Sequence, residues 1–298
     1  MFKPAYTKAG DTVALTCPAR SISYTEIEYA ISILESWNLN VVVGETIGTT
    51  FHQYSDTDAK RAKDFQNFLD NPKVKAIIAC RGGYGTVRIM DDLRYDRFLE
   101  NPKWIVGYSD ISILHIHLNC TMGISSIHST MPVNFATNTQ ESLESLRKSL
   151  FGEKLQYDIA PHPLNCNGVM EGEVIGGNLS LIYSAIGTKT IFNTSDKIIF
   201  IEDIDEYLYH IDRMTLALTR AGKFSGIKGI IVGAFSDMKD NAIPYGKSAE
   251  EIIHEHTCTL GIPIVYGFPA GHITDNLAIR LGQKAKISVL DNAVIFEQ

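Results

Sequence analysis

Lys103-Trp104-Ile105-Val106-Gly107-Tyr108-Ser109-Asp110, followed at once by Ile111-Ser112-Ile113-Leu114-His115, is a short apolar run of strand character that ends in a glycine and delivers a serine into the first turn of an apolar helix. Two readings of Ser109 compete at this point. A strand-turn-helix junction can hold a nucleophile exposed, and a serine at a helix start is also a favoured N-cap whose oxygen accepts an orphan backbone N–H. The choice depends on what the rest of the chain sets beside it.

The same alternation continues on both sides. Thr12 to Cys17 reads as a buried strand closed by Pro18, and Ser23 with Glu26 has the capping-box spacing that opens a helix to about Trp37, with Ile27, Ala30, Ile31 and Leu34 on one face. Leu39 to Val43 is the next strand, then a polar loop, then a helix from Asp58 to Leu69 stopped by Asn71-Pro72. Val74 to Cys80 is a strand running into Arg81-Gly82-Gly83-Tyr84-Gly85 before a helix begins near Thr86. Glycines at 82, 83 and 85 let a backbone approach an anion or oxyanion with its N–H groups, although the pattern is neither a dinucleotide fingerprint nor a P-loop and also suits a plain tight turn. Gly123 to His128 is one more strand, leading to Ser129-Thr130-Met131-Pro132. This alternation predicts right-handed βαβ crossovers and a parallel sheet covered on both faces, with ligands bound outside the carboxyl ends of the strands. Arg81 to Gly85, Ser109 with Asp110, and His128 all lie at those ends.

The texture changes over Leu155 to Gly168, where Pro161 and Pro163 interrupt any helical periodicity, and this stretch reads as an interdomain linker. The expected organisation is residues 1–154 as a nucleophile-bearing domain, 155–168 as linker and 169–298 as a second domain. In the latter, Gly176-Gly177-Asn178 leads into a helix from Leu179 to Ile186, and Lys197 to Ile201 is a strand ending in Glu202-Asp203-Ile204-Asp205-Glu206. A helix from about Glu206 to Ala221 follows, then strands at Gly229 to Phe235 and Ile262 to Gly267. Phe268 to Asn276 is a glycine-bounded loop presenting His272, and Ala285 to Leu290 with Ala293 to Phe296 form a hairpin about Asp291-Asn292.

Bulk properties narrow the function classes. The 298 residues are 45% hydrophobic and 20% charged, a globular composition with a sizeable core, and the net charge of -7 without a basic cluster argues against nucleic acid as a partner. No run is long and apolar enough for a membrane span, and Met1 to Arg20 lacks a signal-peptide pattern, so the chain reads as cytoplasmic. Five scattered cysteines without a Cys-x-x-Cys pair suit free thiols and supply neither a disulfide framework nor a zinc set; no metal or cofactor is expected.

Serine attacks well only when a base takes its proton, and the base works best when a carboxylate fixes its tautomer. Ser109 as nucleophile, Glu202 as orienting carboxylate and His272 as base stand in that chain order at element ends, with the N–H groups of Asp110 and of Gly82 or Gly83 available for an oxyanion hole. Composition does not choose among the nine histidines, and His128 competes for the role of base.

Four ordered motifs narrow that choice. Gly107-Tyr108-Ser109-Asp110, Gly176-Gly177-Asn178-Leu179-Ser180, the run Glu202-Asp203-x-x-Glu206-x-x-Tyr209-x-x-Asp212-Arg213, and Gly271-His272-x-x-Asp275-Asn276 together resemble the LD-carboxypeptidase family of serine peptidases, which includes murein tetrapeptide carboxypeptidases and microcin C self-immunity hydrolases. The likeness runs from Cys17-Pro18-Ala19 to Gly282. It implies an α/β protein: a flavodoxin-like, class I amidotransferase-like parallel-sheet domain carrying the serine, and a smaller C-terminal α/β swivelling domain carrying the acid and base. It further implies catalytic Ser109, Glu202 and His272, no metal, and a homodimer. Where the family often has His-Gly-Pro-Met, this chain has His128-Ser129-Thr130-Met131-Pro132, which changes the local pocket wall. The expected reaction is hydrolysis of the L,D-peptide bond to the terminal D-alanine of a murein tetrapeptide, in cell-wall recycling. The alternatives are an immunity hydrolase acting on peptidyl or aminoacyl nucleotides, and an anion-binding protein without turnover. Arg81, beside the glycine loop, is the expected clamp for the substrate carboxylate, with Arg280 its rival and with Tyr84 and His128 as further substrate contacts.

Overall fold

The computed structural model describes residues 1–190 and 192–298. Among these the strands are β1 (Thr12–Thr16), β2 (Asn40–Val43), β3 (Val74–Ala79), β4 (Trp104–Gly107), β5 (Ser126–His128), β6 (Gln156–Ile159), β7 (Gly168–Asn178), β8 (Lys197–Ile204), β9 (Gly229–Ser236), β10 (Ile264–Val265), β11 (Ile279–Leu281), β12 (Lys284–Val289) and β13 (Val294–Glu297). They form two sheets, ordered β11-β5-β4-β3-β1-β2 and β10-β9-β8-β7-β12-β13-β6.

The first sheet follows from the alternation in the sequence. Strands β1 to β5 pair in parallel, and successive residues of β1, β3, β4 and β5 point to opposite faces that are both buried, whereas β2 at the edge is largely exposed. Val13, Leu15, Ile78 and Val106 pack with Ile27, Ala30 and Leu34 of helix Tyr24–Ser36, whereas Ala14, Ile77 and Ile105 meet Phe65, Leu69 and Leu114 on the other side. The capping box of Ser23 and Glu26 is present as its spacing predicts. At the base of β4 the Lys103 side chain is buried and its Nζ donates to the carbonyls of Phe68, Leu69 and Asn71 at 3.1, 2.7 and 2.9 Å, closing the end of helix Asp58–Asp70. Burial pushes this ammonium down to about 8.

Several elements differ from the sequence reading. β11 was not legible: three residues carry no periodicity, and its partner β5 lies far away in sequence, yet it pairs antiparallel through Ile279 with His128 and Leu281 with Ser126. The C-terminal stretch thereby enters the first sheet. The segment 155–168 is not irregular throughout. Gln156–Ile159 forms the edge strand β6 against β13, because Tyr157 stacks on Phe296 with ring centroids 5.3 Å apart and Ile159 is buried. The helix after the glycine loop is only Thr86–Ile89, and the one after Ser109 only Ser112–Ile116, continuing as a π-helical turn over His117–Met122.

Arg280, on β11, is buried and turned toward the end of helix Gln140–Phe151. Its guanidinium donates to the carbonyls of Lys148 at 3.0 Å, of Ser149 at 3.4 Å, and of Glu153. It is therefore committed to satisfying helix-end carbonyls and cannot serve as the carboxylate clamp for which it was the rival. Replacing Arg280 by Ala strands those carbonyls inside the protein, and we expect a loss of about 2–4 kcal/mol in urea unfolding. An unchanged midpoint would remove this role.

Candidate active site

Ser109 follows the carboxyl end of β4 with φ of 61°, in the left-handed region that non-glycine residues rarely adopt. An N-cap residue has extended backbone, and neither the turn Ser109–Ile111 nor helix Ser112–Ile116 takes a side-chain cap, so the capping reading of Ser109 does not hold. A strained turn that thrusts the side chain forward is the geometry of a nucleophile elbow. Gly82 makes room for it: a Cβ built there would lie 2.9 Å from Ser109 Cβ and 3.0 Å from its Oγ.

The glycine loop is pinned from beneath. Arg61, wholly buried, donates to Gly85 O at 2.9 Å, to Asp56 O at 3.2 Å and to Pro18 O. Asp110 is buried behind the serine, and its carboxylate accepts from Thr86 N at 2.8 Å, tying the residue after Ser109 to the loop's exit. Burial raises that carboxyl's pKa, opposed by the Thr86 hydrogen bonds.

In the second sheet the carboxyl-terminal part of β8 carries Glu202 and Asp203, on opposite sides of the strand. Glu202 is wholly buried and its Oε2 accepts from His272 Nδ1 at 2.7 Å, which leaves Nε2 as the other imidazole nitrogen. Burial alone lowers this imidazole's pKa, but the charge and hydrogen bond of Glu202, helped by Asp203 and Asp237, outweigh it, and His272 titrates above its ordinary value. The His272 ring lies against Tyr108 at 4.8 Å between centroids, and Tyr108 Oη donates to Asn134 Oδ1 at 3.0 Å. Asp203 accepts from Asn178 Nδ2 at 2.8 Å, Ser180 N at 2.9 Å and Ile204 N at 2.9 Å; burial and the neighbouring Glu202 push it up to about 7. Gly177 has φ of 138°, and a Cβ there would fall 2.5 Å from Ser112 Oγ, while Ser112 Oγ accepts from Asn178 N at 2.9 Å. The Gly-Gly-Asn run thus seats the second sheet on the helix that follows Ser109.

One cleft of about 500 Å³ is lined by Arg81, Gly82, Gly83, Ser109 and His272 together. Glu202 and Asp110 stand buried behind it. Two expected substrate contacts lie elsewhere. Tyr84 is exposed with its ring near Tyr54 and does not line the cleft. His128 is wholly buried between Tyr108 and Phe200, pushed down to about 3 by burial, and its Nε2 donates to Asn276 Oδ1 at 3.3 Å. A neutral, enclosed imidazole can neither contact substrate nor act as base, so His128 is a packing residue. Met131, from the divergent 128–132 segment, does line the cleft. Sequence reasoning missed Arg20, Tyr108 and Asp237 in the lining. Asp237, like Asp205, sits at a strand end with positive φ, for which no local sequence signal exists beyond the residue type.

Comparisons with known proteins identify the family and the fold. Residues 13–129 match the LD-carboxypeptidase N-terminal domain, and residues 171–287 match the LD-carboxypeptidase C-terminal domain. A probable murein peptide carboxypeptidase of Bacillus subtilis is 31% identical over 99% of this chain and 94% of its own length. The crystal structure of muramoyltetrapeptide carboxypeptidase from Oxalobacter formigenes superposes with a TM-score of 0.87 at 25% identity, covering 96% of this chain and 98% of the other. The microcin C7 self-immunity protein MccF, in complex with aspartyl sulfamoyl adenosine, shares the fold with a TM-score of 0.88 at 22% identity, covering 99% and 98%.

Two outcomes are expected of this geometry. Relief of the left-handed backbone makes Ser109→Gly more stable than Ser109→Ala by about 1 kcal/mol in denaturant unfolding; equal stabilities would contradict the strained turn. If His272 must be neutral to act, activity rises with pH through a value above the ordinary imidazole range, and Glu202→Gln, which removes the charge that raises it, moves that acidic limb to lower pH. A kcat/KM profile whose limb stays in place would show that Glu202 does not tune the titrating group.

Proposed function

We propose, since the chain belongs to the LD-carboxypeptidase family, that it is a serine carboxypeptidase hydrolysing the L,D-peptide bond to the terminal D-alanine of murein tetrapeptide. The observation that carries this reading is the buried Glu202–His272 pair opening onto the same cleft as a left-handed, uncapped Ser109. Ser109 Oγ attacks the carbonyl carbon as its proton passes to His272 Nε2, while Glu202 holds the imidazole through Nδ1 and stabilises the imidazolium. The oxyanion is received by the N–H of Asp110 and by one from Gly82 or Gly83. Collapse of the tetrahedral intermediate expels D-alanine, whose amine takes the proton from His272; water, deprotonated by the same imidazole, then opens the acyl-enzyme. Arg81 in the lining contributes positive charge for the substrate carboxylate.

In this reading the N-terminal unit, residues 1–154, supplies the nucleophile, and the second unit, whose sheet already begins with β6 inside the 155–168 segment, supplies acid and base. On the same reading the protein acts on murein fragments in the cytoplasm during recycling; no helix among the described residues is long and apolar enough to cross a membrane. A homodimer completes the reading; sedimentation at monomer mass would remove that part.

Incubation with murein tetrapeptide should release D-alanine. Ser109→Ala should fold and lose at least about 10⁴-fold in kcat, with Glu202→Gln less damaging than His272→Ala. Cleavage of an aminoacyl sulfamoyl adenosine in place of the peptide would select the immunity reading, and binding of peptide without product would select the non-catalytic one.

A further inference from the structure

We propose that Arg20 is the residue that recognises the substrate's terminal carboxylate and so restricts this cleft to removing a single C-terminal residue. The inference rests on the carboxypeptidase reading and divides the work between the two arginines of the lining, Arg20 and Arg81. Arg81 is already engaged: its Nη1 donates to Ser21 O at 3.2 Å and lies 3.9 Å from Glu26 Oε1. The Arg20 guanidinium, by contrast, is exposed to the cleft and has no hydrogen bond or ion pair among the described residues.

Although its head is free, the residue is held in place. Arg20 N donates to Gly82 O at 3.3 Å, its backbone bridges to Tyr54, and the preceding Ala19 O accepts from Ser55 N at 3.1 Å. Its stem lies across Gly83, where φ is 103° and a Cβ would meet Arg20 Cγ and Nε at 2.7 and 2.8 Å. Gly82, to which Arg20 is bonded, is also the residue against which Ser109 packs. The free guanidinium, borne by the segment after β1, is thus laid across the glycine loop that borders Ser109. A carboxylate one residue beyond the attacked carbonyl lies roughly 4 Å along the chain, so an exopeptidase needs its cation beside the nucleophile, where this loop holds one. A planar fork with five donors is suited to that bidentate partner.

Charge in the rest of the lining favours that direction. Asp205, Glu206 and Asp237, at or just beyond the ends of β8 and β9, line the same cleft, Asp205 paired with Lys239 and Glu206 with His210, so a terminal carboxylate turned that way meets like charge chiefly at Asp237. Positive charge at Arg20 and Arg81 and the carboxylate of Asp237 in the same lining favour the orientation that brings a substrate's anionic end to the arginines.

The test compares murein tetrapeptide with the same peptide carrying a C-terminal carboxamide, which keeps the scissile bond and removes the charge. Wild-type protein should favour the acid by about 10- to 100-fold in kcat/KM. Arg20→Gln should lose most of that factor on the acid, chiefly through KM, while its turnover of the carboxamide stays within about threefold of wild type and reports that the variant is folded. Arg20→Lys should keep an intermediate preference. Arg81→Ala should weaken turnover without abolishing the preference. The proposal is overturned if wild-type protein cleaves acid and carboxamide equally, if Arg20→Gln retains the full preference or loses both substrates in proportion, or if Arg81→Ala alone abolishes it. Failure of wild-type protein to cleave either peptide would instead sink the carboxypeptidase reading, and this inference with it.

Discussion

The antiparallel pairing of Ile279–Leu281 with Ser126–His128 is the constraint on which the site depends. The chain leaves the second sheet at β10, passes through the loop bearing His272, and must come back to β5, the neighbour of β4 whose end carries Ser109. Neighbouring strands lie about 4.8 Å apart, so this return confines His272 to the side of the molecule that carries Ser109. Side chains from the first half reinforce it. Asn138 Nδ2 donates to Ile273 O and Thr274 O at 3.1 and 2.8 Å, Thr139 Oγ1 donates to Asp275 Oδ1 at 2.7 Å, and Ser145 Oγ accepts from Ala278 N at 2.9 Å. Asn276 Oδ1 accepts from Gly271 N at 2.8 Å and from His128, coupling the loop to the strand pair beneath it.

Strain and buried charge concentrate at this junction and are absorbed by the scaffold. A left-handed serine costs of order 1–3 kcal/mol and persists only where its surroundings over-determine it. Here they do so through Gly82 against its side chain, Asp110 bonded to Thr86, and Arg61 beneath Gly85. Glu202 is a buried carboxylate, tolerable because His272 answers it, and that same pairing raises the imidazole's basicity. The interactions that make the fold specific at this point are the ones that tune the His272 imidazole.

The cleft is electrically divided, with arginines carried by the first sheet's loops and carboxylates by the ends of β8 and β9. Each set comes from a different half of the chain, so this polarity arises only when the halves close on each other.

Alternating strands and helices, the Ser23–Glu26 cap and the helix stops at Asn-Pro were legible because they are set by local sterics and periodicity. Residue type and chain order also singled out Ser109, Glu202 and His272 as candidates, because hydroxyl, carboxylate and imidazole are recognisable as chemistry wherever they stand, and four motifs resembling one family narrowed the choice among histidines. What the sequence left open was decided by long-range contact. His128 and His272 are the same side chain at comparable element ends, yet one is sealed between two aromatic rings and the other opens onto the cleft. Arg280 and Arg20 are likewise interchangeable in a list of residues; one caps a helix end and the other faces the nucleophile's loop. Burial, charge state and orientation are properties of what packs against a side chain. By itself the sequence determined which groups were available, and only the tertiary structure decided which of them meet.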